Sequence, residues 1–233
     1  MDLYEVLSQK ACAGRAFISI TGGGGKTTLM TGFASYLRSC GKRVLMTTTT
    51  KIMSPYKHDY MADRIFSDDS VLSFIPDCPC SVIYAIEDKE TGKWRCPPVE
   101  NFDVLISRYD VILCEADGSR RLPLKIHTQR DPVILPLTTY TVSVMGLWGI
   151  GQEAKDVSFG DARNVVVDRS YLNWYLNNPE GLLKGSLKDN RAIVFNGAED
   201  FKDTSLLRGL DYPSDVFACT ASVKEGILYE ELN

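Results

Sequence analysis

The sequence predicts an α/β fold, a single three-layer αβα domain on a mostly parallel sheet over residues 1–233. Two observations predict it. Short apolar runs alternate with segments of helical periodicity, the pattern of parallel strands with helices on both sides. One run, Val111-Ile112-Leu113-Cys114, is apolar throughout, as suits a strand covered on both faces. The length suits one large domain with a substantial core.

The elements follow in order. Leu3, Val6, Leu7 and Ala11 share one face of a short helix that Gly14 ends. Phe17 to Ile20 forms the first core strand. Leu29, Met30, Phe33, Ala34, Tyr36 and Leu37 give the next helix its apolar face. That helix stops at Cys40, with Gly41 as the left-handed residue beyond it. Arg43 to Thr47 is the second strand. Ser67, Asp68 and Asp69 offer caps for a short helix through Leu72, Phe74 and Ile75. Val82 to Ile86 and Lys93 to Cys96 flank Lys89-Glu90-Thr91-Gly92, a hairpin signal. Phe102, Leu105 and Ile106 mark a helix leading into Val111. Val142 to Met145, Ala192 to Phe195 and Val216 to Cys219 read as further strands. Helices are expected at Arg169 to Asn177 and Thr204 to Gly209. The chain shows no internal repeat, low-complexity tract or linker.

The most informative run is Thr21-Gly22-Gly23-Gly24-Gly25-Lys26-Thr27-Thr28, between the first strand and its helix. Strand, glycine loop, Lys-Thr and helix is the order of a phosphate-binding P-loop. Its glycines are expected to leave N–H groups free for a polyphosphate, which the helix N-terminus also attracts. Lys26 is expected exposed in the loop, neutralising the terminal phosphates, with Thr27 reaching a magnesium ion. The run departs from the common pattern, because Ile20 stands where its first glycine would be. It resembles the variant loop of the MinD, ParA and nitrogenase iron-protein class. Thr21 replaces the second lysine of that class, so a lysine acting across a dimer interface is not expected.

A second signal is Val111-Ile112-Leu113-Cys114-Glu115-Ala116-Asp117-Gly118. An apolar strand tipped by an acid is how nucleotide hydrolases hold magnesium. Glu115 and Asp117 would face different sides of an extended chain, one serving magnesium and the other orienting water. The Gly118 N–H could meet a γ-phosphate. Thr47-Thr48-Thr49-Thr50-Lys51 ends the second strand at the sheet edge where such folds bind ligands. Thr49 is a candidate metal ligand there, and Lys51 a candidate for an anionic acceptor. Arg120, Arg121 and Lys125 extend that acceptor or partner loop. The loop from Gly118 to Lys125 is expected to be mobile without nucleotide and ordered with it.

Composition narrows the partners. A net charge of −4 gives no electrostatic case for nucleic acid or an anionic membrane. Tyr140 to Ile150, the most apolar stretch, is too short to span a bilayer. Asp2 and Glu5 occupy the place of a basic signal-peptide region. Seven cysteines without a secretory signal predict reduced thiols and a cytoplasmic protein. Cys78, Cys80 and Cys96 read as ordinary reduced cysteines; a fold-back of the hairpin would instead gather three soft ligands for a metal or selenium. His58 and His127 read as surface or loop residues.

Three segments resemble one family: Thr21 to Thr28, Val44 to Ile52, and Glu115-Ala116-Asp117-Gly118-Ser119-Arg120-Arg121-Leu122-Pro123-Leu124-Lys125. They are similar to the selenium-dependent hydroxylase accessory proteins, the YqeC-like family, over about the first 150 residues. The resemblance implies a nucleotide-dependent accessory role in maturing a molybdenum hydroxylase, with Mg²⁺ and ATP or GTP as ligands. Family members continue Lys-Ala-Pro after Pro-Leu, whereas this chain departs beyond Lys125, reading Lys125-Ile126-His127. Family members also carry an Asn-Lys-x-Asp-like run, of which this chain keeps Asn196 in Asn196-Gly197-Ala198-Glu199. ATP and GTP therefore stay open. Two other classes stay open beside an NTP hydrolase: a P-loop kinase or ligase acting on a small anionic acceptor, and a module binding a nucleotide or pterin cofactor without turnover.

Overall fold

The computed structural model describes residues 1–201 and 203–233. Helix α1 (Leu3–Ala11) opens the chain, with Asp2 capping it through the N–H groups of Tyr4 and Glu5. Strand β1 (Ala16–Gly22) is buried along its whole length. The loop at its end leads into α2 (Lys26–Ser39), then β2 (Arg43–Thr48) and the short β3 (Lys51–Met53) and β4 (Arg64–Phe66). Strands β5 (Cys80–Tyr84), β6 (Ile86–Asp88) and β7 (Lys93–Arg95) precede α3 (Asn101–Leu105) and β8 (Val111–Glu115). Then come β9 (Leu124–Lys125), β10 (Tyr140–Gly146), α4 (Ala154–Val157), β11 (Ser158–Phe159) and α5 (Arg169–Asn177). Strands β12 (Arg191–Asn196), β13 (Val216–Ser222) and β14 (Ile227–Glu231) finish the chain.

Nine strands form one sheet in the order β14-β13-β12-β10-β1-β8-β2-β5-β4. All neighbours are parallel except β13 and β14. The chain is thus an α/β protein with a large, mostly parallel sheet. Alternate residues feed opposite faces. Ile18, Ile20, Val44 and Met46 pack with Leu3 and Leu7 of α1 and Leu29 and Phe33 of α2. Phe17, Leu45 and Ile112 pack with Phe102 and Leu105 of α3. Ile193, Phe195 and Ala218 pack with Leu172 and Tyr175 of α5. Both faces are dry, which is why the central strands read as near-continuous apolar runs.

Several expectations need correction. The hairpin is formed by β6 and β7, pairing Ile86 with Arg95, whereas Val82 belongs to β5 in the large sheet. The helix expected at Thr204 to Gly209 is only a 3₁₀ turn over Leu207–Gly209. The short helix near Leu72 is likewise 3₁₀, Asp69–Ser73, capped by Asp68. Strand β14 pairs antiparallel with β13 at the sheet edge, where Ile227 and Tyr229 stay exposed. Its apolar signal is correspondingly weak.

The order of the strands sets the site. From β1 the chain crosses to β2 on one side, and from β8 to β10 on the other. The carboxyl ends around β1 therefore border a crevice, the usual ligand position in open α/β sheets. Register places Glu115 beside Ile20 on one side and Thr48 on the other.

Candidate functional site

The glycine loop is packed more tightly than phosphate binding alone requires. A Cβ on Gly22 would fall 2.2 Å from the Val144 carbonyl oxygen, and one on Gly24 would fall 2.3 Å from the Gly146 nitrogen. Gly22, Gly24 and Gly25 have φ of +93°, +71° and +128°, where side chains are strained. The expectation that the glycine N–H groups stay free is only partly met. Gly22 N–H donates to Asp117 Oδ2, Gly23 N–H to Val144 O and Gly24 N–H to Leu122 O. Thr21 does not reach the loop at all, since its hydroxyl pairs with Ser143 Oγ at 3.0 Å.

The open donors lie one step further on. No acceptor among the described residues takes the N–H groups of Gly25, Lys26, Thr27 and Thr28. Helices α1 and α5 are capped by Asp2 and Asp168, but α2, the longest, has no side-chain cap. An uncapped first turn gathers unsatisfied donors and the positive end of the helix dipole at one point. Thr28 is exposed and borders the same cleft.

Lys26 is not exposed. It is 4% accessible, and its Nζ lies 2.6 Å from Gly22 O and 3.0 Å from Asp117 Oδ1. The contact with Asp117 is an ion pair without hydrogen-bond alignment. Lys26 folds back because a buried carboxylate draws it there. Asp117 is fully buried, and its Oδ2 also accepts from the Gly22 N–H at 2.9 Å and faces His127 Nε2 at 2.6 Å. His127 is buried too, with Nδ1 2.8 Å from the Gly181 carbonyl, so it is neither a surface nor a loosely held loop residue. Its two ring nitrogens thus face two oxygens, Asp117 Oδ2 and the Gly181 carbonyl. Burial raises the Asp117 pKa, but Lys26, His127 and Lys125 outweigh it and bring it to about 2.

This depression has a sign that can be tested. The ordinary Asp value is 3.8 and the folded value about 2, so the stabilisation is complete above the ordinary value and is lost as pH falls through about 2. Its size is about 2 kcal/mol. In urea melts, the stability gap between the parent and Asp117→Asn should narrow between about pH 4 and pH 2. A gap independent of pH would rule out the ionic account of Asp117.

Glu115 is different. Its side chain is buried, and Oε2 accepts from the Thr27 hydroxyl at 2.8 Å. Burial raises its pKa; Lys26 and Thr27 offset this only in part, and Asp117 adds to it. A carboxylate held against its solvation, with a threonine hydroxyl beside it, is a hard-oxygen pair suited to Mg²⁺. No group of three or more His, Cys, Asp or Glu gathers for a metal among the described residues. That fits Mg²⁺, which takes one or two protein oxygens and completes its shell from phosphate and water. It does not gather Cys78, Cys80 and Cys96, which stand exposed, buried in β5 and half-buried. All seven cysteines are free thiols, and no helix is long and apolar enough to cross a membrane among the described residues.

The remaining candidates divide. Thr49 turns its hydroxyl to Val133 O at 2.8 Å, and Thr50 borders the cleft instead. Lys51 borders it while paired with Asp88 at 2.8 Å. Gly118 also borders the cleft, and its carbonyl accepts from Lys125 Nζ at 2.5 Å. Lys125 is buried, ion-paired with Asp131, so it braces the loop and presents no charge to an acceptor. Arg120 and Arg121 are exposed at the cleft, both with positive φ, +50° and +66°. Asn196 is used up inside the fold: Nδ2 donates to Gly24 O at 2.7 Å and Oδ1 accepts from Val223 N–H. It holds the glycine loop while bordering the cleft.

The loop after Glu115 is tied down at several points. Gly24 N–H meets Leu122 O, Gly146 N–H meets Pro123 O, and Lys125 and His127 pin the far end. Lys125→Ala should speed amide exchange from Gly118 to Asp131 at least tenfold, because Gly118 O and Asp131 lose their shared partner. Exchange no faster than in the parent would show that the brace is unimportant.

The cleft these groups enclose measures about 1520 Å³. That exceeds the ~300–1,000 Å³ of a site for one small ligand. Trp148, Phe159, Lys93 and Lys224 also line it. Sequence reasoning missed these four, although the Gly146-Leu147-Trp148-Gly149 run after an apolar strand was a usable signal.

Comparison with known proteins places these features in a family. The sequence profile of the family described as YqeC protein matches residues 18–159, from β1 through β11. The chain is similar to "Uncharacterized protein YqeC" of Escherichia coli (strain K12), 31% identical over 194 residues, covering 76% of this chain and 74% of that one. No solved structure matches it. The matched region contains the glycine loop, Glu115, the Asp117 cluster and Trp148, and the chain belongs to the YqeC family.

Proposed function

We propose that the cleft binds a nucleoside triphosphate with Mg²⁺ and that the protein is a P-loop NTPase of three-layer αβα type. The observation that carries this reading is the uncapped α2 N-terminus beside the Thr27–Glu115 pair. The N–H groups of Gly25, Lys26, Thr27 and Thr28 would hold the polyphosphate. Thr27 and Glu115 would hold the metal, which when bound draws charge from the transferring phosphoryl group. Lys26 would leave Asp117 for the phosphates, and His127 and the Gly22 N–H would remain beside Asp117. The resemblance of Glu115 to Lys125 to the selenium-dependent hydroxylase accessory proteins extends the proposal to maturation of a molybdenum hydroxylase.

A kinase or ligase is the second reading, and two observations favour it. Asp117 is enclosed by Gly22, Lys26 and His127, so it cannot orient an attacking water. Arg120, Arg121, Lys51 and Lys93 share the cleft with the glycine loop, a setting for an anionic acceptor.

A thermal-shift panel of ATP, GTP and tripolyphosphate with Mg²⁺ tests the proposal. A ligand at one hundred times its Kd should add about 2.7 kcal/mol. No stabilisation by any of the three would reject the nucleotide site. Phosphate release without an acceptor would favour the hydrolase; acceptor-dependent turnover would favour the transferase.

A further inference from the structure

At about 1520 Å³ the cleft has room for a second molecule beside a nucleotide. Beyond the glycine loop, two segments wall it. One is Gly118-Ser119-Arg120-Arg121, after β8; the other is Thr50 with β3 and its partner β7, where Met53 stands opposite Lys93. The walls meet at their feet, since a Cβ on Gly118 would lie 4.0 Å from the Thr50 hydroxyl oxygen. Glu115 ties them together: its carbonyl accepts from the Thr49 N–H at 3.1 Å and from the Thr48 hydroxyl at 2.8 Å. The floor between the walls therefore adjoins the carboxylate that accepts from Thr27.

The cations on these walls are of two kinds. Lys51 is occupied by Asp88, as Lys125 is by Asp131 and Lys26 by Asp117. Arg120, Arg121 and Lys93 make no ion pair among the described residues. The Arg120 guanidinium lies over the Phe159 ring, Cζ 5.0 Å from the centroid, which positions the group and leaves its N–H edge for an anion. Arg120 and Arg121 have φ of +50° and +66° in succession. Residues other than glycine rarely adopt this region, and two together persist only where their surroundings hold them. Here the Leu122 N–H donates to Ser119 O at 2.9 Å, and Leu122 O accepts from the Gly24 N–H at 3.0 Å. The glycine loop itself thus anchors the turn that brings both arginines to the cleft. A merely solvated basic loop needs no such turn. Met53 and Phe159, both half-buried, give the same space an apolar lining.

We propose that this part of the cleft is a second substrate site, for a small organic anion. Arg120, Arg121 and Lys93 grip its phosphate or carboxylate head, and its apolar body lies on Met53 and Phe159. The inference rests on the nucleotide reading of the cleft and gives the acceptor a place and a chemical class. The test is calorimetric titration of phenyl phosphate and of benzoate, which share a body and differ in head, into protein saturated with Mg²⁺ and tripolyphosphate. The parent should bind at least one of them at one further site, and the tighter of the two identifies the head. Arg120→Ala and Arg121→Ala should each weaken that probe about tenfold or more, the scale of one lost charge-assisted contact. Their tripolyphosphate affinity should change less than about twofold, which also shows that the variants are folded. Inorganic phosphate, a head without a body, should bind at least tenfold more weakly than the better probe. Absence of both probes from the tripolyphosphate complex, or their displacement by tripolyphosphate, would overturn the second site. Equal loss of tripolyphosphate and probe in the arginine variants would assign the arginines to the triphosphate and overturn it too. Inorganic phosphate binding as tightly as the better probe would overturn the apolar body. Failure of tripolyphosphate on the parent would overturn the nucleotide reading, and this inference with it.

Discussion

Lys26→Ala should abolish tight triphosphate binding and also destabilise the ligand-free protein. Both effects follow from the place of Nζ. It lies between Gly22 O and Asp117 Oδ1, buried at the edge of the cleft. Removing it takes the ion-pair partner from a buried carboxylate, and breaking such a pair costs about 3 kcal/mol. His127 still faces Asp117 at 2.6 Å, which keeps the fold from failing outright. Binding loses a desolvated charge contact to phosphate, a loss of about 3 kcal/mol or more than a hundredfold in Kd. A second substitution separates the two effects. In the Asp117→Asn background the orphaned charge is gone, so Lys26→Ala should cost much less stability there, a coupling readable from the double-mutant cycle. Triphosphate affinity should stay low in both backgrounds. Equal destabilisation in both would show that Lys26 and Asp117 are not coupled, and parent-like affinity would remove Lys26 from the phosphate site.

What the sequence made legible was local. The glycine run between an apolar strand and a helical face announced β1, its loop and α2, and the all-apolar Val111 to Cys114 announced β8 and its acid tip. Such patterns are read within a single segment. Pairings between distant segments were not legible. Lys26, Lys125 and His127 look like solvated or loop residues by type, yet all three are buried because partners come to them from Asp117, Asp131 and Gly181. The threonine run shows the same limit at finer grain. Strand alternation says that neighbouring hydroxyls point apart, but only the position of Val133 decides that Thr49 is taken and Thr50 borders the cleft. Strand β14 escaped notice for a different reason: an edge strand with one exposed face has a weak apolar pattern.

Glu115→Gln should lower turnover at least a hundredfold, about 3 kcal/mol in barrier, while sparing nucleotide binding. The amide keeps the shape that meets Thr27 Oγ1 at 2.8 Å and loses the charge that would hold Mg²⁺. The same substitution should stabilise the ligand-free protein, and the direction can be worked out. Burial raises the Glu115 pKa above the ordinary 4.5, so the unfolded chain gives up this proton at lower pH than the folded one. Stability then falls as pH rises from 4.5 through the folded value, and at neutral pH the ionised group works against the fold. Gln has no such charge to desolvate. Melting of the two proteins without Mg²⁺ should therefore favour Glu115→Gln. Loss of stability in the ligand-free variant would mean that Glu115 is a structural partner of Thr27. Unchanged turnover would take the metal away from Glu115. Both outcomes together would make Glu115 a structural partner of Thr27 and place any metal elsewhere in the cleft.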